Sequence, residues 1–248
     1  MKKIKKFAEE LVLLQRNVPG FIFALFVIAI VSMNLLANKS INMPVDFMAL
    51  DCGFIFSWIT FFAMDVMTKR FGPRAATLVS IMALLLNLFV AFMLFLGSII
   101  GGTWGESYVD GCEDIINTAL NNTFGGTWYV LLGSSIAFLS SAAVNNYINW
   151  SIGKRSDKGG FGSFALRSYV STFIGQIVDN LIFALIVSLH FFGWSLVQCV
   201  VCALTGAVFE LLCEVIFSPI GFKVAKNWEK EKVGQEYIDY ALKMGYRV

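Results

Sequence analysis

In this chain of 248 residues, 57% are hydrophobic and 15% charged, with a mean hydropathy of +0.71, an apolar share too high for an ordinary soluble domain. The net charge of +2 gives no basis for a nucleic-acid surface. The apolar residues come in runs of about twenty, the length an α-helix needs to cross a bilayer, and the alternation of a membrane β-barrel is missing.

Residues 1–20 are basic and place Ile4, Phe7, Ala8 and Leu11 on one helical stripe. That pattern suits a helix lying in the membrane interface, or equally a plain topology signal. Six apolar runs follow, at 21–37, 48–67, 75–97, 127–150, 164–192 and 196–222. The first is too long for a secretory signal and has no small-x-small cleavage site, so it reads as a retained helix. Residues 223–248 return to soluble composition and are expected to form a short cytosolic helix interrupted near Gly234. The expected organisation is an N-terminal segment (1–20), a six-helix transmembrane domain (21–222) and a C-terminal tail (223–248).

Lys and Arg fix the expected orientation, because cytoplasmic loops retain positive charge. Lys2, Lys3, Lys5, Lys6 and Arg16 precede the first run. Lys69, Arg70 and Arg74 lie between the second and third, and Lys154, Arg155, Lys158 and Arg167 between the fourth and fifth. Six more follow the last run, and only Lys39 falls on the other side. The expectation is an all-α polytopic membrane protein with six transmembrane helices and both termini cytoplasmic. The segment 97–126 carries Glu106, Asp110, Glu113 and Asp114 but no Lys or Arg, and is expected outside, as a lid or as a connector. Asn121-Asn122-Thr123 fits a glycosylation acceptor, a short match that arises by chance. Cys52 and Cys112 fall near the outside and would pair only in an oxidising compartment, whereas Cys199, Cys202 and Cys213 suit small apolar packing roles.

Polar residues inside the runs carry the functional signal. A carboxylate in mid-membrane costs roughly 2.5 to 3.5 kcal/mol on insertion scales, so such residues face a protein interior or a watery cavity. Asp179 sits near the centre of the fifth run, with Gln176 and Asn180 on the same face by i, i+3, i+4 spacing. Glu210 and Glu214 are one turn apart in the sixth run. Asp65 lies toward the cytoplasmic end of the second, with Trp58 and Phe61 on its stripe, where Lys69 or Arg70 could pair with it. Asn34 with Asn38, and Asn145 with Asn149, repeat the i, i+4 pattern. Taken singly, Asn34, Asn38, Asn87 and Asn149 also suit structural hydrogen bonds between helices. An acid in the fifth run, with no Lys or Arg in the spans to neutralise it, points instead to a cavity. Asp65 and Asp179 would occupy corresponding elements of two inverted three-helix halves.

Carboxylates and carboxamides beside Trp and Phe suit a flat, donor-bearing heterocycle. Rings stack on aromatic faces, and one carboxylate accepts two parallel N–H bonds from an amidine-like edge such as that of guanine. Glu210 and Glu214 would repel if both were ionised, which makes proton coupling an expectation.

The stretches "NLLANKSIN", "DVMTKRFG", "AAVNNYI", "LRSYVSTFIGQIVDNLIF" and "CEVIFSPIGF" together resemble the VUT family, the vitamin uptake or queuosine precursor transporters. The resemblance implies a six-helix importer of 7-deazaguanine compounds (7-cyano-7-deazaguanine, 7-aminomethyl-7-deazaguanine, queuine or queuosine), used for tRNA modification and seated in a bacterial or archaeal inner membrane. Asn34 and Lys39 match the family's helix-one Asn and Lys. Asp65, Thr68 and Gly72 match its D-x-x-T-x-x-[YF]-G element, and Asn145 its helix-four Asn. Arg167, Ser171, Gln176 and Asp179 match the R…ST…Q..D pattern, and Glu214 with Pro219 matches E-x-x-x-x-P. Lys69 departs from the acid common in the family, and the segment after the third run is longer than usual, which suggests a different outer vestibule.

The expected substrate-binding set is therefore Asp179, Gln176, Glu214, Asn145, Asn34, Trp58, Phe61, Asp65, Asn180 and Glu210, in a stand-alone secondary transporter that needs no cofactor. The expected partners are the small-molecule substrate, the lipid bilayer and protons, with a homodimer left open. A second reading is the substrate-binding S component of an energy-coupling-factor importer. Such subunits dock through a stripe of small alanines in helix one, which "FIFALFVIAIVSM" matches poorly. No H-E-x-x-H, G-x-S-x-G or Cys/His cluster occurs, and His190 suits an interfacial or packing role, so no catalytic residue or metal ligand is assigned. A channel would need a ring or filter element, and none is evident.

Overall fold

The computed structural model describes residues 2–48, 50–104, 111–156, 160–246 and 248. Glu106, Asp110 and Lys158 of the sequence reading, and the side chains of Lys2, Lys3, Ile4 and Arg155, lie outside the described residues. Among the described residues the protein is all-α and has no strand; a single isolated bridge joins Ser40 and Asp51. Seven helices follow one another: α1 (Lys2–Asn17), α2 (Gly20–Leu36), α3 (Phe54–Ile99), α4 (Glu113–Ser156), α5 (Phe161–Phe191), α6 (Leu196–Lys230) and α7 (Gln235–Lys243). Four of them are long and apolar enough to cross a membrane, or five when α1 and α2, bent by 107° at their junction, count as one span. The chain is a polytopic membrane protein.

Helix α3 is not one rod. Its 46 residues would reach about 69 Å at 1.5 Å per residue, more than twice a hydrocarbon core. Ser80 Oγ donates to Met64 Sδ at 3.3 Å, although sixteen residues of continuous helix would hold them about 24 Å apart. The chain therefore folds back between them. The turn is at Gly72, whose φ of 83° and ψ of 168° suit glycine alone, and Pro73 follows. Proline disfavours helical backbone in the residue before it and is pre-set for the first turn of the next helix. The result is two arms, 54–71 and 73–99, as the apolar runs implied.

The long helices close a ring. The arms of α3 pack on α4, α4 on α5, α5 on α6, and α6 returns to α3, while α2 lies against α3. The apolar core sits on one side of this ring, where Phe26 and Ile30 of α2, Phe61, Met64 and Phe71 of α3 and Phe138 of α4 are all fully buried. Between the first arm, α4, α5 and α6 the interior is polar instead. Small residues on α6, among them Ala203, Gly206 and Ala207, let the helices approach closely there.

Both terminal segments gather at the Gly72 end. Arg74 makes a bidentate pair with the buried Glu10 of α1 at 2.7 and 2.8 Å and stacks over Tyr246 at 4.1 Å. Arg70 donates to the Val233 carbonyl from Nε and Nη2. Gly234, with φ 65°, starts α7, and a Cβ there would come within 2.3 Å of Phe71. The N-terminal helix, the α3 turn and the tail are thus one assembly on one side of the bundle.

At the opposite end the helices run further than the apolar runs suggest. Helix α4 begins at Glu113 rather than Thr127, so much of the segment expected to be a loop is helical. Its Asn121 accepts from Trp104 Nε1 at 2.9 Å, which ties residues 101–104 to that helix and occupies the glycosylation match. In α5 a π turn at Ala184–Ser188 exposes carbonyls that Tyr129 (2.7 Å to Ile186) and Cys199 (3.5 Å to Ala184) cover. All five cysteines are free thiols, so the structure holds no Cys52–Cys112 bridge.

Candidate functional site

The polar interior is a seam running along the bundle axis, built from one face of each helix. On α4, Ser141, Asn145 and Asn149 recur every four residues. On α5, Ser168, Thr172, Gln176 and Asp179 do the same at spacings of three and four, and on α6 so do Glu210 and Glu214. All of them are buried.

Nearer the Gly72 end, Asp65 is the hub. Its Oδ1 accepts from Asn145 Nδ2 (3.3 Å) and Asn149 Nδ2 (2.9 Å), and its Oδ2 from Thr172 (3.2 Å) and Ser168. Ser168 Oγ also lies 2.7 Å from Glu214 Oε1. Neutral donors hold Asp65, while the guanidinium of Arg70 turns to the tail. Arg167, counted in sequence among loop cations, is buried at 6% exposure in α5 and acts electrostatically on Asp65. Ser168 has one proton and two acid partners, so it can donate to only one of them. The other contact needs a proton on Asp65 or Glu214.

Nearer the other end lies a cavity of about 40 Å³, room for roughly three waters at 10–15 Å³ each by the same measure. Asn34, Asp51, Ser57, Ser134, Asp179 and Asn180 supply its polar lining, with Phe54 and Phe183 among its apolar walls. Asp179 Oδ1 accepts from Ser141 at 2.8 Å. Glu210 stands behind the lining, accepting from Ser57 Oγ and from Asn180 Nδ2 (3.4 Å). At Gly206 opposite, a Cβ would come within 2.6 Å of Asn180 Nδ2 and would push that amide aside. The loop 37–53 covers this end, closed by Ile41 N to Leu50 O (2.8 Å) and Cys52 N to Lys39 O (2.9 Å).

Gln176 lies in α5 between the two clusters, fully buried, with neither amide atom bonded to a described residue; Asn145 Oδ1, Asn149 Oδ1 and Glu214 Oε2 are likewise unpartnered. Buried polar atoms of this kind are satisfied by water or a ligand.

A profile of the family described as "Putative vitamin uptake transporter" matches residues 51–224, more than half of the chain. The chain belongs to this family. Neither a curated protein nor a solved structure matches it. The stretch shared with the vitamin uptake transporters holds Asp51, Asp65, Asp179, Glu210 and Glu214, while Asn34 on α2 lies outside it.

Of the residues singled out in sequence, the structure brings Asn34, Asp179 and Asn180 to the cavity with Glu210 behind them, and Asp65, Asn145 and Glu214 to the hub. Glu210 and Glu214 do not bond to each other; each joins a different cluster. Trp58 and Phe61 do not line the cavity. Trp58 stacks on Phe217 of α6 at 4.5 Å, and Phe61 sits in the apolar core. Sequence reasoning passed over Asp51, at the start of an apolar run, and the hydroxyls Ser57, Ser141 and Ser168. The four-residue spacing that joins Ser141 to Asn145, and Ser168 to Thr172, was the signal available for two of them.

Proposed function

We propose that this vitamin uptake transporter is a proton-coupled secondary importer of 7-deazaguanine compounds for tRNA modification. It spans a bacterial inner membrane six times, with the Gly72 end and both termini in the cytoplasm. The positive charge of the segments gathered at that end supports the orientation. The observation that carries the reading is the row of buried polar side chains, Ser141, Asn145 and Asn149 on α4 and Thr172, Gln176 and Asp179 on α5, that recurs at three- and four-residue spacing between the hub and the cavity. Asp179 and Asn180 meet the donor-rich edge of a planar ring, Asn34 and Ser134 its remaining polar atoms, and Phe54 and Phe183 its faces. Gln176 stands on the path inward. The proton on the Ser168 bridge between Asp65 and Glu214 is the coupling group. A fused bicyclic ring exceeds the space of about 40 Å³, so loading requires the 37–53 loop to shift.

Uptake of a radiolabelled 7-deazaguanine by the purified polypeptide alone in proteoliposomes tests this. Saturable accumulation that collapses with a protonophore is expected. Accumulation only when ATPase partners are added would favour an S component. If none of guanine, the two 7-deazaguanine precursors, queuine and queuosine stabilises the purified protein, the substrate assignment falls.

A further inference from the structure

Asp51 and Asp179 line the cavity directly, from the loop and from α5, and Glu210 of α6 stands one layer behind through Ser57 and Asn180. No Lys, Arg or His lines it among the described residues, and Lys39 on the same loop is exposed. Cys202 is the other titratable group in the lining. Hydroxyl and backbone donors satisfy only part of this acid set. Asp179 takes one bond from Ser141 and, among the described residues, Oδ2 has no partner, and Asp51 takes one from the Gly53 N–H at 2.7 Å. Independently of the acids, Asn34 is buried at 3% exposure, lines the cavity, and its side chain bonds to no described residue. A polar group in that state is one a ligand completes.

Carboxylates in a low-dielectric hollow are stabilised by a proton or by positive charge from whatever fills it, and a cationic ligand can supply the latter. Where a ligand brings that charge, the Coulombic gain is far larger than in water. From the juxtaposition of Asp51 and Asp179 around a cavity without a cation of its own, we infer that the site selects planar ring substrates bearing a protonated amine over uncharged ones, with Asp51 as the specificity-determining residue. This rests on the ring-importer reading above and narrows its substrate class. The ring edge engages Asp179 and Asn180, and the ammonium, which donates up to three hydrogen bonds, lies between Asp51 and Asp179. Because Asp51 is on the loop that must shift for loading, the amine also draws that loop back over the filled site.

The experiment is equilibrium binding of 7-aminomethyl-7-deazaguanine and its uncharged 7-cyano counterpart to purified wild type and Asp51→Asn, with thermal melting of each protein as the folding control. The wild type is expected to bind the amine at least tenfold more tightly, and Asp51→Asn to reduce that ratio to below about threefold. Asn34→Ala is expected to weaken both ligands together and leave the ratio in place. Equal affinities in the wild type would overturn this inference and leave the importer reading standing. So would a ratio that survives Asp51→Asn. Saturable binding of neither compound would overturn the ring-importer reading and this inference with it.

Discussion

Asp65 on the first arm of α3 and Glu214 on α6 share one hydroxyl: Ser168 Oγ bonds to Oδ2 of the first and lies 2.7 Å from Oε1 of the second. The single proton of serine cannot serve both acids, so on the proposed mechanism one of the two carboxyls carries the proton that couples transport. Glu214→Gln keeps the shape and a donor toward Ser168 but cannot release it. Proton-driven accumulation should fall at least tenfold, while counterflow exchange between equal substrate pools stays within about threefold of wild type. Equal loss of both would mean that Glu214 acts in binding or folding rather than in coupling.

Asp179 has a different task, since it lines the cavity and is held by Ser141 at 2.8 Å. Asp179→Ala removes the acceptor that a donor-rich ring edge requires. Uptake should fall by a hundredfold or more, with membrane insertion and the melting profile in detergent largely intact. Ser141→Ala loosens the carboxylate without removing it and should cost about tenfold, seen mainly in KM.

Gly72 turns α3 back on itself with backbone angles that L side chains avoid. Gly72→Ala should destabilise the protein by about 1–3 kcal/mol, lowering the melting temperature by several degrees. The same change at Gly97, where a Cβ meets nothing within 4 Å and the backbone is helical, should be neutral or slightly stabilising. Similar melting of the two variants would contradict the turn described.

The loop acid Asp51 should make stability depend on pH. Burial pushes its carboxyl up to about 6, against the Gly53 N–H, which favours the charged form. A carboxyl whose folded value lies above its unfolded one contributes most below the unfolded value and loses that contribution as pH rises through the folded value. Relative to Asp51→Asn, the wild type should therefore lose melting temperature between about pH 4 and pH 6.5 and level off above. Parallel curves for the two proteins would remove Asp51 as the cause.

The helices and the break at Gly72 are legible because lipid forces apolar residues into runs of one length, and Gly-Pro stops a helix by local sterics. The polar start of α4 is not legible in the same way, since a helix outside the lipid need not be apolar. Single-helix spacing also has a limit. It put Glu210 and Glu214 on one face, yet which acid meets Ser57 and which meets Ser168 depends on the heights of α3 and α5 beside them. Trp58, Phe61 and Asp65 share a stripe broad enough for its three members to reach Phe217, the apolar core and the seam respectively. Asp51 looked like the first turn of a span, and only the pairing of its loop reveals it as a wall of the cavity.

The knot of Glu10, Arg74, Val233 and Gly234 has a practical side. On the proposed topology, fluorescent proteins joined to either end of the polypeptide would hang in the same aqueous compartment, close enough for energy transfer. Their signal would then follow the seating of α1 and α7 on the turn of α3.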